Sequence, residues 1–213
     1  MNFLAHIYLS GNSDDIKTGN FIGDYVKGNR YRNFPDEIQR GILLHRSIDH
    51  FTDNHASFIE ARNFFRPVYG RYSGIAVDVV FDHLLANKWH LFSEMTLSAF
   101  SNHTHSTLLG NFNILPEEVQ RFLPIMIHNR RLESYATING TDTAFRIMSG
   151  YTTLPYREAF IPEVLKDNRD QLQKLFNIFM TDIISYINAK EGLGICRPQG
   201  QQLMVSDETS PNC

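Results

Sequence analysis

The segment Ile75–Trp89, IAVDVVFDHLLANKW, is apolar on almost every face of a helix, and a helix of that kind has to be surrounded by protein rather than by water. The chain must therefore wrap other elements around it, which predicts a central helix inside a layered or bundled domain. Asp78, Asp82 and His83 interrupt this run. A lone carboxylate buried among valine, phenylalanine and leucine costs several kcal/mol, so each of these groups must be paired, neutralised or bound to a metal.

The rest of the chain supplies helices and no strands. Apolar residues recur at three- and four-residue spacing almost throughout, and alternating stretches bounded by hairpin turns are missing. The reading is an all-α fold in one domain spanning residues 1–191. The predicted helices run over Phe3–Ser10, Ile16–Gly28, Pro35 to about His50, Asn54–Tyr69, Ile75–Trp89 and Glu94–Leu109. Later ones run over Pro116–Tyr135 with a kink or break at Pro124, Asp142–Ser149, and Pro162–Ala189. FTDN, residues 51–54, reads as a connection in which Thr52 or Asp53 caps the next helix. The last predicted helix carries Leu172, Leu175, Phe176, Phe179, Ile183 and Tyr186 on one stripe, the pattern of core packing. Residues 192–213 lose periodicity, are rich in Gly, Pro, Gln and Ser, and read as a disordered tail.

With 213 residues and 42% hydrophobic content the chain can bury one substantial core. A net charge of -3 argues against bulk attraction to nucleic acid or anionic lipid, so an acidic partner would need a local basic patch. Lys27, Arg30 and Arg32 form one such group; Arg62, Arg66 and Arg71 form a second, and Arg130 with Arg131 a third, although solvated faces commonly look the same. Both cysteines fall at Cys196 and Cys213, where thiols read as incidental in a reducing compartment. The opening MNFLAHIYLSGN is a poor signal peptide, and no apolar run is long enough to span a membrane. The expected location is cytoplasmic.

Acidic and histidine residues gather in the first part of the chain: His6, Asp24, His45, Asp49, Asp53, His55, Asp78, Asp82 and His83. His45 and Asp49 are four apart and share a helix face, and Asp78 with Asp82 repeats that spacing. Two helices each presenting such a pair make a cradle for a divalent ion, and mixed carboxylate and imidazole donors suit Mn, Mg, Fe or Zn. The competing reading for His45 and Asp49 is a surface pair worth a few tenths of a kcal/mol. His6 alone is what a hydrogen-bonded core histidine looks like, and His55 reads as a cap or surface neighbour.

The motifs MNFLAHIYLS, GNFIGDYVKG, GILLHRSIDHFTDNH and GIAVDVVFDHLL, in this order, strongly resemble the acyl carrier protein phosphodiesterase family. The resemblance implies an all-helical variant of the HD-domain phosphohydrolase fold and a manganese-dependent reaction. That reaction is hydrolysis of the phosphodiester joining 4'-phosphopantetheine to a serine of holo acyl carrier protein. Family positions map onto Gly19, Asn20 and Asp24, onto His45, Arg46 and Asp49, onto Thr52 and Asp53, and onto Asp78, Asp82 and His83. No His-Asp dipeptide in that order occurs in these motifs, so ligand roles rest on spacing. The expected metal ligands are Asp24, His45, Asp49, Asp78, Asp82 and His83, around one or two Mn2+ ions, with Mg2+, Fe2+ or Co2+ as alternatives. Arg46 is expected to meet the phosphate or to form a surface ion pair, His6 to protonate the leaving oxygen or orient a ligand, and Asp53 to serve catalysis. The expected partner is holo acyl carrier protein. Alternative readings are an HD-type hydrolase of a nucleotide or small phosphoester, and a non-catalytic carrier-protein-binding module.

Overall fold

A computed structural model describes residues 2–196. Among these residues there is no strand, and the all-α reading holds. The helices are α1 (Phe3–Tyr8), α2 (Asp14–Phe21), α3 (Asp36–Asn54), α4 (Ala56–Ala61), α5 (Arg66–Tyr69), α6 (Ser73–Asn87) and α7 (Trp89–Phe92). They continue as α8 (Leu97–Gly110), α9 (Glu117–His128), α10 (Arg131–Ser134), α11 (Ile138–Tyr151), α12 (Phe160–Asp167) and α13 (Arg169–Glu191).

Helix α6 is the axis of the molecule, as its apolar sequence requires. Val77, Val79, Val80, Phe81 and Leu85 are fully buried, and α1, α4, α5, α11 and α13 all pack against it. Phe81 meets Phe58 of α4 and Phe176 and Phe179 of α13, so the stripe expected on the last helix is the surface that closes the core.

Helices α2 and α3 cross in backbone contact. A Cβ built on Gly19 would lie 2.1 Å from the Ile38 carbonyl oxygen, and one on Gly41 would lie 2.3 Å from that of Ile16. Only glycine at both positions permits this approach, which puts the end of α2 directly against the first two turns of α3.

Several boundaries differ from expectation for identifiable reasons. Helix α2 stops at Phe21 and gives way to a tight turn over Gly23–Tyr25, where Gly23 rests against the His45 ring so closely that a Cβ would lie 2.2 Å from it. Helix α3 runs through the FTDN stretch: Thr52 Oγ1 donates back to the Ile48 carbonyl at 2.8 Å instead of capping, and His55 caps α4 by accepting from the Ser57 amide. Helix α9 continues through Pro124, whose ring points to solvent, and breaks after His128, where Arg130 takes a left-handed conformation. The last long helix is two, separated at Asn168.

Residues 192–196, assigned to the tail, are held in place. Asn188 donates to the Ile195 carbonyl and accepts from its amide, each at 2.8 Å, and Tyr8 donates to the Cys196 carbonyl at 3.1 Å. Burial of Ile195 accounts for this docking. The remainder of the expected tail, residues 197–213, lies outside the described residues.

Candidate metal centre

Three segments converge on one point. Helix α1 presents His6, α3 presents His45 and Asp49 one turn apart, and the turn after α2 presents Asp24. His6 Nε2 lies 3.2 Å from Asp49 Oδ1, while His45 Nε2 lies 3.1 Å from Asp49 Oδ2 and 3.5 Å from Asp24 Oδ1. The two imidazoles are stacked, with centroids 4.1 Å apart and planes 14° apart. One donor atom from each of His6, His45 and Asp49 can be chosen so that all lie within 4.8 Å of one another.

Both Nε2 atoms are buried and neither makes an aligned hydrogen bond. Their contacts with the carboxylates are charge contacts at 3.1–3.5 Å, and the same atoms are placed so that a cation could sit among them. Neighbouring donors that share one octahedral ion at ~2.1 Å lie about 3 Å apart; the contacts of His6 and His45 with Asp49 are of that size. Two imidazoles and one or two carboxylates form a donor set suited to Mn, Fe or Zn. The residues therefore fit a divalent metal.

The electrostatics follow from crowding two rings against two acids. Burial lowers the His6 pKa to about 4, with His45 adding to the effect. Burial pulls His45 down too, but Asp24 and Asp49 outweigh it and raise its pKa to about 9. Asp24 is lowered by its contact with His45, and Asp49 is lowered by His45 and His6 against the opposing effect of burial. Without metal at neutral pH, His45 is thus a cation, His6 a neutral ring, and both carboxylates are ionised.

The expected ligands of α6 are not brought into this group. Both oxygens of Asp82 are occupied elsewhere: Oδ2 accepts from the Leu4 amide at 2.9 Å and Oδ1 from the Ala5 amide at 3.0 Å. These belong to the first turn of α1, which lacks intrahelical acceptors and whose own N-cap residue, Asn2, donates instead to Tyr135 Oη. Asp82 is a cap supplied by a different helix, and it pins the helix that carries His6. His83 Nδ1 donates to the Tyr135 carbonyl at 2.7 Å, away from the cluster, and burial lowers the pKa of the ring. Asp78 is raised by burial, with the charges of Asp49 and Asp53 contributing, and it is not among the converging donors.

Arg46 turns to the backbone. Its Nη2 donates to the Val26 and Gly28 carbonyls at 2.9 and 2.7 Å, and its guanidinium covers the Tyr31 ring at 5.3 Å. It fastens the segment that follows Asp24. Asp53 is exposed one turn beyond Asp49. His55, read as a cap or surface neighbour, is both: it caps α4 and its Nε2 faces Asp182 at 3.1 Å.

The centre opens into a small cleft of about 50 Å³ lined by Asn2, Phe3, His6, Asn20, Phe21, Asp24 and His45. Sequence reasoning assigned His6 a proton-transfer or orienting task; its convergence with α3 could be anticipated only from the clustering of histidine and acidic residues near the N-terminus. Asn20 was noted as part of a motif, with no sign that both rings would rest on it.

A model of the family described as acyl carrier protein phosphodiesterase matches residues 1–183. The chain is 38% identical over 139 residues to a protein of that name from Yersinia pestis, covering 65% of this chain and 72% of that one. It is 32% identical over 198 residues to one from Klebsiella pneumoniae (strain 342), covering 90% of this chain and 100% of that one. No solved structure matches.

Proposed function

Because the chain belongs to the acyl carrier protein phosphodiesterase family, we propose that it hydrolyses the phosphodiester joining 4'-phosphopantetheine to a serine of holo acyl carrier protein. The products are apo carrier protein and 4'-phosphopantetheine, and the reaction belongs in the cytoplasm. The observation that supports metal dependence is the pair of buried Nε2 atoms set against Asp49 with no aligned hydrogen bond. His6, His45 and Asp49 would hold the ion, with Asp24 at the rim of the cleft. A bound divalent ion, Mn2+ in this reading, supplies a water of lowered pKa and neutralises charge on the phosphoryl group.

The chain's own contribution is positional. Asp24 stands at the turn over Gly23–Tyr25, and Arg46 holds the following segment by two backbone carbonyls, so the rim keeps its shape when substrate arrives. His6 serves better as a donor to metal than as an acid, since burial keeps its ring neutral. Lys27, Arg30 and Arg32 are exposed immediately beyond Asp24 and are the basic group nearest the centre along the chain. In this reading they meet the acidic carrier protein.

The test is to incubate the purified protein with holo acyl carrier protein, with Mn2+ or with a chelator, and to weigh the carrier protein by intact mass. Loss of the prosthetic-group mass only with metal is expected. No loss under any metal would overturn the assignment, and loss in the presence of the chelator would overturn the metal.

A further inference from the structure

We propose that Asn20 is the positioning residue that sets the tautomer of His6 through its side chain and orients His45 through its backbone carbonyl, and thereby turns the cluster into a metal site; the inference rests on the reading of His6, His45 and Asp49 as metal donors. Asn20 is fully buried near the end of α2 and is held by four hydrogen bonds. Its Nδ2 lies 2.7 Å from the His6 carbonyl and 2.8 Å from Ser10 Oγ. Its Oδ1 lies 2.8 Å from His6 Nδ1, and its backbone carbonyl 2.8 Å from His45 Nδ1.

The direction of each bond follows from what the partners can do. The His6 carbonyl can only accept, so the amide nitrogen of Asn20 must face it, and the amide oxygen must face the ring. His6 Nδ1 is then the protonated nitrogen. A backbone carbonyl also only accepts, so His45 Nδ1 carries a proton as well. The Asn20 carbonyl is among the last four of α2, which lack the usual i+4 amide, and the glycine-to-glycine contact of α2 with α3 brings it within reach of His45.

A neutral imidazole protonated at Nδ1 offers its lone pair at Nε2. Both Nε2 atoms lie toward Asp49, an arrangement that leaves them facing the space an ion would share with its carboxylate. One residue thus anchors two rings from two helices, and their near-parallel stacking at 4.1 Å follows from the shared anchor. Partners of this kind are worth tenfold to a hundredfold in metal affinity in other proteins.

The experiment reads tautomer and metal binding separately. Long-range proton–nitrogen spectra of metal-free protein labelled at histidine nitrogen report which ring nitrogen of His6 is protonated, and electron paramagnetic resonance counts bound Mn2+. Wild type is expected to show His6 protonated at Nδ1. Asn20→Ala is expected to lose that preference and to bind Mn2+ about tenfold to a hundredfold more weakly. Asn20→Asp, which keeps an acceptor toward His6 Nδ1 but turns an oxygen toward the His6 carbonyl, is expected to hold the tautomer at a cost in stability. Ser10→Ala, which removes a partner of the amide nitrogen and a donor to the His6 carbonyl but contacts neither ring nitrogen, is expected to change neither.

Protonation of wild-type His6 at Nε2 would overturn the proposal, and so would an unchanged affinity in Asn20→Ala. Should Asn20→Ala fail to fold, the tautomers of the wild type and of Asn20→Asp still decide. Absence of Mn2+ binding in the wild type with His6 protonated at Nδ1 would overturn the metal reading while leaving the tautomer assignment standing.

Discussion

At the scale of single residues, Asp82 explains why a core helix carries charge. It accepts the two amides that open α1 and so fixes the backbone from which His6 projects. Burial, working against those amides, raises its pKa from 3.8 to about 7. The native state therefore binds this proton more tightly than the unfolded state does. Its stabilising contribution is full below pH 3.8 and declines as pH rises toward 7. Denaturant unfolding followed between pH 4 and pH 8 should show this decline in wild type and a flatter profile in Asp82→Asn; identical slopes would refute it. Replacement by alanine leaves two buried amides unsatisfied and should cost about 2–5 kcal/mol. The charges on α6 were legible as an anomaly demanding a partner, but the partner is a helix start distant in sequence, which spacing within α6 cannot reveal.

At the scale of elements, the centre depends on the crossing of α2 and α3. Gly19 and Gly41 let the two backbones touch, and that contact sets the reach from Asn20 to His45. Gly19→Ala should force the helices apart, destabilising the fold by about 1–3 kcal/mol or more and weakening Mn2+ binding in the population that remains folded. Calorimetric unfolding combined with metal titration checks this; a variant with unchanged stability and affinity would show that the close approach is dispensable. The helical periodicity of most elements was readable, as was the one-face pairing of His45 with Asp49, because both depend on local geometry. Helix ends were read less well. The end of α2 is set by Gly23 packing on the His45 ring, and Thr52 prolongs α3 by bonding to its own helix rather than capping the next. Those outcomes are decided by tertiary contact.

At the scale of the whole molecule, a central apolar helix holds the shell together while the centre lies toward one side, among α1, α2 and α3. The sequence indicated that architecture through α6, and its reading joined the two acid-bearing helix faces into one cradle. Packing separates the two faces: His45 and Asp49 of α3 converge with His6, while α6 gives Asp82 to α1 and His83 to the Tyr135 carbonyl. The net charge of -3 leaves carrier-protein recognition to a local group. Replacing Lys27, Arg30 and Arg32 by glutamate should raise KM for holo carrier protein several-fold at low salt, with the difference shrinking as salt is added. Hydrolysis of a small phosphodiester should be unaffected. Equal loss on both substrates would place the effect in the catalytic centre instead.

The most direct test of the central claim is to count Mn2+ bound per chain by electron paramagnetic resonance in wild type, Asp49→Ala and Asp82→Asn, with helix content followed by circular dichroism. His6, His45 and Asp49 as the donors predict that wild type and Asp82→Asn retain the ion while Asp49→Ala loses it with its helices intact. Retention in Asp49→Ala, or loss in a folded Asp82→Asn as complete as in Asp49→Ala, would contradict the account and return the ligands to α6.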